Sequence, residues 1–281
     1  MEIYQAIILG VLQGLTEFLP VSSSGHLALG HYILGITEPT LFFDVSLHVG
    51  TLIAVIVVFF KDIRDITASL WGLIRHKLHR GKFPGEEGFF SRAYVDPNIR
   101  FAILIIVASV PTAFMGLFFK QYMDAMSDSI NFVGCMMLVT GTFLWLTRGI
   151  KPSGAGIMAM GYKRALLIGI CQGLAVIPGI SRSGATISAA LFSGMDRETA
   201  ARFSFLLSIP AILGAELISL RDFVTQGIAF DFSILYGTLI SFVVGYAALK
   251  LLIHLVKNGR FYLFAPYCWI VGGFAIIIGV F

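Results

Sequence analysis

Pro178-Gly-Ile-Ser-Arg-Ser-Gly-Ala-Thr186 sets one guanidinium, three hydroxyls and two glycines between apolar segments that carry almost no other charge. An arginine in such surroundings is costly unless it faces a polar cavity or a permanent counter-charge. Gly179 and Gly184 let the backbone approach a ligand, and Ser181, Ser183 and Thr186 supply hydroxyl donors. A helix expected to begin near Ser183 would point its N-terminal amides at the same place. The stretch therefore reads as an anion cradle inside a membrane protein, better suited to the oxygens and charge of a phosphate than to a carboxylate.

The rest of the chain supports a membrane setting. Of 281 residues, 57% are hydrophobic and only 13% charged, with mean hydropathy +0.87, far from the balance of a soluble domain. Met1-Glu2 lacks the basic start of a secretory signal, so the first apolar stretch is expected to be retained. Cys135, Cys171 and Cys268 have no metal-ligand spacing and read as packing residues. The net charge of +4 is accounted for by membrane topology, described next, which excludes a nucleic-acid partner.

Two lengths of apolar segment set that topology. Residues 45–60, 101–119, 130–147, 203–220, 232–249 and 261–281 are each near the ~20 residues needed to cross hydrocarbon. Residues 3–15, 27–36, 165–177 and 185–192 are about half that length and are joined in pairs by Pro, Gly and Ser. Such pairs suggest re-entrant helical hairpins, because irregular backbone at membrane depth needs protein or a watery cavity around it. The hairpins also resemble each other. An offset of 159 places Gly10, Gln13, Gly14, Leu15, Ser22, Ser24 and Gly25 on Gly169, Gln172, Gly173, Leu174, Ser181, Ser183 and Gly184, seven identities in 16 positions. Each half is then one hairpin plus three spans. Three being odd, the second half must be inverted, so that the hairpins enter from opposite faces.

Lysine and arginine collect on cytoplasmic loops, which tests the scheme. Seventeen fall on the loops assigned inside and two, Lys120 and Arg221, on those assigned outside. The expected architecture is an all-α polytopic membrane protein forming a single domain over 1–281. Repeat one covers 1–149 and repeat two 161–281, with an amphipathic, partly irregular cytoplasmic connector at 61–100 and a flexible link at 151–156.

The first hairpin carries the remaining chemistry. Gln13-Gly-Leu-Thr-Glu-Phe-Leu-Pro-Val-Ser-Ser-Ser-Gly-His26 gathers a carboxylate, three serines and a histidine near a bend. Gln13 and Glu17 are four apart, on one helix face. Glu17 suits a general base or metal ligand, a serine a nucleophile, and His26 proton transfer; serine needs such a neighbour because it is weak at its free pKa. Glu17 and Arg182 have an alternative as a buried ion bridge between hairpins. Asp44, His48 and Glu216 read as structural pairs, with a supporting role open for His48.

At these residues the chain resembles the undecaprenyl-diphosphate phosphatase family, the bacitracin-resistance proteins. The resemblance rests on Gln13-Gly-Leu-Thr-Glu17, Leu19-Pro-Val-Ser-Ser-Ser-Gly-His26, the 178–186 stretch and Ala200-Ala-Arg-Phe-Ser-Phe-Leu-Leu207, and it extends over nearly the whole chain. It implies a bacterial inner-membrane enzyme that removes the terminal phosphate of a C55 polyprenyl diphosphate and recycles the carrier for peptidoglycan synthesis. It also implies a requirement for a divalent cation, Mg2+ or Ca2+, and a site open to the outer face. Carried residue by residue, it makes Glu17, Ser23, His26 and Arg182 catalytic, with Glu17 also on the metal. It puts Gln13, Ser181, Ser183 and Thr186 on the substrate, and the residues' own chemistry adds Ser22, Ser24, Gly179 and Gly184 to that lining. The family's first glutamate position accepts Glu or Gln; Gln13 here weakens any scheme with two carboxylates on one metal. The expected partners are the lipid diphosphate and the bilayer, and a homodimer is compatible with the sequence without being required by it. The rival readings are a lipid-phosphate flippase, since opposed hairpins suit alternating access, and a serine hydrolase of lipid esters, disfavoured by the absence of a G-x-S-x-G elbow.

Overall fold

The computed structural model describes residues 2–36, 41–80, 95–151, 154–226 and 232–279. Residues 81–94 of the expected connector, with Pro84, Glu86 and Glu87, lie outside them, as do 152–153 of the link and the last two residues of the final span. Among the described residues the chain is helical, with no strand.

The first hairpin is α1 (Ile3–Phe18) and α2 (Ser23–Ile33). Then come α3 (Leu41–Val58), α4 (Phe60–Arg80), α5 (Pro97–Lys120), the short α6 (Met123–Ser127) and α7 (Ile130–Leu146). The second hairpin is α8 (Tyr162–Leu174) and α9 (Arg182–Phe192), followed by α10 (Arg197–Gln226), α11 (Phe232–Lys257) and α12 (Ala265–Ile278). Five helical stretches are long and apolar enough to cross a membrane, and six if the bent pair α3–α4 counts as one. The bend between Phe42–Val58 and Phe60–Arg75 is 73°, so the first expected span is one limb of an angled pair. The part of the connector up to Arg80 is a regular helix.

Side-chain placement fits a lipid surround. Ile106, Val110, Phe114 and Leu117 form an exposed stripe along α5, as do Leu235, Leu239 and Val243 along α11. Apolar groups on the outside of a bundle are stable only against hydrocarbon or a partner. The interior is built on Phe18, Phe203, Phe205, Leu144 and Ile187, all buried. Phe18 meets Phe205 edge-on, with ring centroids 6.0 Å apart.

The two halves exchange packing partners. Helix α1 leans on α11 and α8 on α5, so the first helix of each hairpin rests on a long span of the other half. Glycine makes both approaches close. A Cβ on Gly10 would lie 2.7 Å from Gly237 O, and one on the sequence-matched Gly169 would overlap Ala108 O. Helices α7 and α12 touch reciprocally, with Gly134 against Gly272 O at 2.6 Å and Gly272 against Gly134 O at 2.7 Å when a Cβ is added to each. Small residues at such crossings let backbones meet in lipid, where no hydrophobic effect drives helices together.

Candidate active site

Matched serines start the second helix of each hairpin. Ser22 caps α2 by accepting from Gly25 N at 3.3 Å, and Ser181 caps α9 by accepting from Gly184 N at 3.1 Å. Each also shares a hydrogen bond with the serine two residues on, Ser22 with Ser24 at 3.3 Å and Ser181 with Ser183 at 3.2 Å. The caps explain why α2 and α9 begin a few residues before their continuous apolar runs: a side-chain oxygen satisfies an end amide that the helix itself leaves open. Ser22 does this at φ +69°, the left-handed region, which costs a non-glycine residue about 1–3 kcal/mol and persists where the surroundings enforce it. The neighbouring hydroxyl, Ser23, opens α2.

Glu17, in the last turn of α1, is the hub. Its Oε2 accepts from Ser23 Oγ at 2.7 Å and from Gln13 Nε2 at 3.0 Å, while its Oε1 is ion-paired with Arg182 Nη2 from the other hairpin. His48 of α3 adds a fourth neighbour, with Nδ1 2.8 Å from Gln13 Nε2 and 3.5 Å from Glu17 Oε2. The carboxylate is 6% exposed and the guanidinium 16%, and a pair so far from water holds only with further hydrogen bonds of this kind. Both readings of Glu17 and Arg182 thus meet in one geometry: the ion bridge is present, and it lies against the serine.

Other expected residues divide by position. Ser183 Oγ donates to Phe18 O at 2.8 Å, tying the hairpins together one residue beyond Glu17. Thr186, fully buried, bonds to Arg182 O at 2.8 Å and to Ser204, and so supports the arginine's turn from behind. Gly179 has φ +93°, its carbonyl accepts from Thr140 Oγ1 at 3.0 Å, and a Cβ there would overlap Val133 O. That residue seats the second hairpin on α7. Ser24 is exposed. His26 turns away from Glu17: Nδ1–H donates to Ser22 O at 2.8 Å, and Nε2 faces the hydroxyl of Tyr267 in α12 at 2.8 Å.

Tyr267 was not singled out from the sequence. It stands 241 residues from its partner, and nothing local marks it. Beside it, Cys268 Sγ donates to Pro20 O at 3.3 Å, so α12 grips the first hairpin's bend at two neighbouring points.

The donor set allows a metal only limited protein contact. Among the described residues no group of three or more His, Cys, Asp or Glu is arranged to hold an ion. One carboxylate is present, and Gln13 Oε1 is a buried acceptor with no hydrogen-bond partner among the described residues. Few protein oxygens suit magnesium, which keeps waters and leans on substrate phosphates. Arg182 Nη1 is likewise buried without a partner, a donor that suits an anion's oxygen.

Comparison with known proteins covers nearly the whole chain. An undecaprenyl-diphosphatase of Desulforapulum autotrophicum is 56% identical over 279 residues, 99% of each chain. One of Desulfosudis oleivorans is 54% identical over 281 residues, the full length of both. One of Methanosphaera stadtmanae is 43% identical over 280 residues, 100% of this chain and 99% of that one. Residues 6–274 match the family described as bacitracin resistance protein BacA, a span that includes Gln13, Glu17, Ser23, His26, Arg182 and Tyr267, and the chain belongs to that family.

Proposed function

We propose that this chain is a membrane phosphatase that hydrolyses undecaprenyl diphosphate to undecaprenyl phosphate and inorganic phosphate, recycling the lipid carrier. The observation that carries the reading is the shared carboxylate: Ser23 Oγ–H rests on Glu17 Oε2 at 2.7 Å while Arg182 reaches Glu17 Oε1 from the opposite hairpin. A nucleophile, its base and a phosphate-binding cation thus stand together at one buried point. The names of the family relatives support the substrate.

An arriving diphosphate would draw Arg182 onto its oxygens, through Nη1 first, and bidentate contact suits the planar guanidinium. Glu17 then loses its counter-charge and is free to take the Ser23 proton. Ser23 Oγ forms a bond to the terminal phosphorus as the bond from that phosphorus to the bridging oxygen breaks, and the lipid leaves as its monophosphate. Glu17 gives that proton up to solvent, then takes one from the water that cleaves the phosphoserine and returns it to Ser23 Oγ as phosphate is released. His26 and Tyr267 are assigned to proton delivery at the leaving oxygen. In a competing route water attacks directly and Ser23 only donates. A divalent cation, Mg2+ or Ca2+, belongs to the proposal: Glu17 and Gln13 Oε1 would hold it, and when bound it neutralises phosphate oxygens. The inverted repeat, the outward-facing opening, residence in the inner membrane and bacitracin resistance complete the reading. They rest on the 159-residue offset, the charge placement and the family.

The test is phosphate release from the C55 diphosphate by purified protein in detergent with Mg2+, comparing wild type with Arg182→Ala, Ser23→Ala and Glu17→Gln. Losses of about 10³-fold in folded variants are expected where an activated nucleophile and charge stabilisation are removed. No release by folded wild type with any of the plausible divalent cations would overturn the reading. Detergent offers no second compartment, so release there separates a phosphatase from a flippase.

A further inference from the structure

The contacts around Gln13 fix the chemical form of His48. Glu17 is held as a carboxylate by Arg182 and can only accept, so the amide atom 3.0 Å from its Oε2 is nitrogen, Gln13 Nε2. That nitrogen has two hydrogens. The second meets His48 Nδ1 at 2.8 Å, and two hydrogens cannot face each other there, so Nδ1 carries the lone pair and the ring proton sits on Nε2. His26 has the opposite form, because its Nδ1 faces a carbonyl that can only accept. The histidine beside the carboxylate is therefore an acceptor for the amide rather than a proton donor to Glu17.

We propose that His48 is a positioning residue of the active site. Its Nδ1 takes one amide hydrogen of Gln13, which compels the amide to give the other to Glu17 and leaves Oε1 as the free acceptor. Without that lone pair the amide is free to rotate, and Glu17 Oε2 loses one of the two donors that hold it toward Ser23. A partner one step behind a reacting group is worth about 10- to 100-fold in activity when such shells are disturbed. The proposal rests on the phosphatase reading for its effect on rate, but not for the form of the ring.

Asparagine at 48 places its amide oxygen near the position of Nδ1, whereas glutamine reaches toward Nε2. His48→Asn is therefore expected to keep kcat for phosphate release within about threefold, while His48→Gln and His48→Leu lose about 10- to 100-fold in kcat with KM for the lipid diphosphate little changed. Equal kcat for the Asn and Gln variants, or an unaffected Leu variant, would overturn the proposal. A second measurement needs no turnover. In protein labelled with 15N-histidine, the long-range proton–nitrogen spectrum should show His48, assigned by its loss in His48→Asn, protonated on Nε2 only. Gln13→Leu should release that preference. A proton on Nδ1 in wild type would overturn the proposal even if phosphate is released, and the expected tautomer in a protein that releases none would overturn only the phosphatase reading.

Discussion

Arg182 Nη2 and Glu17 Oε1 form an ion pair across 165 residues of sequence, joining the two hairpins at a point where the carboxylate is 6% and the guanidinium 16% exposed. Removing one member of such a pair leaves an uncompensated buried charge, at a cost of about 3–5 kcal/mol. Arg182→Ala and Glu17→Gln should each lower the unfolding temperature in detergent, and Glu17→Gln combined with Arg182→Gln should recover much of the stability with no recovery of phosphate release. A double variant as unstable as either single one would show that the pair does not hold the halves.

Ser23 allows the chemical route to be separated from its geometry. If it is the nucleophile, rapid quenching of wild type with 32P-labelled diphosphate traps label on protein, and Ser23→Ala traps none while still binding substrate. Label absent from wild type, with Ser23→Ala slowed only about 10-fold, the size of one lost hydrogen bond of about 1.5 kcal/mol, would assign the attack to water.

Gly10 and Gly169 carry the closest helix approaches of the two hairpins. Alanine at Gly169 would overlap Ala108 O and at Gly10 would stand 2.7 Å from Gly237 O, and overpacking of this kind costs about 1–3 kcal/mol. Both variants should unfold at lower temperature, Gly169→Ala the more so. Gly116→Ala, with nothing within 4 Å of the added carbon, should match wild type or gain slightly. Thermal unfolding followed by circular dichroism decides it.

Tyr267→Phe removes the hydroxyl 2.8 Å from His26 Nε2 and keeps the ring, which lies within 7° of the imidazole plane. The loss of about 1 kcal/mol expected for one hydrogen bond corresponds to roughly a fivefold fall in kcat. A fall as large as that of His26→Ala would instead make the phenol itself essential.

The parts legible in the sequence were those encoded locally. The helix start expected near Ser183 is found at Arg182, Gln13 and Glu17 share a face by spacing alone, and the 159-residue offset pairs glycines that both make close contacts. The residues missed or underweighted arrive from far along the chain: His48 from 35 residues beyond Gln13, and Tyr267 from 241 beyond His26. Both are single polar residues in apolar helices, where a ligand and a structural hydrogen bond leave the same trace. The 73° bend after Val58 was legible only as the end of a span, because it has no proline and the charges that follow, Lys61 and Asp62, mark a membrane boundary as readily as a turn of the helix axis.

The matched serine caps have a consequence for how the two halves depend on each other. The 159-residue offset that superposes Ser22 on Ser181 sets Glu17, Ser23 and His26 against Val176, Arg182 and Ala185. One half keeps the base, the hydroxyl and the imidazole, and the other keeps the cation. Neither hairpin alone contains a complete set, so the proposed chemistry needs both. Anything that wedges the halves a few ångströms apart, such as a short-chain lipid, an inhibitor or a bulky residue at Gly169, would silence the protein with every helix still intact.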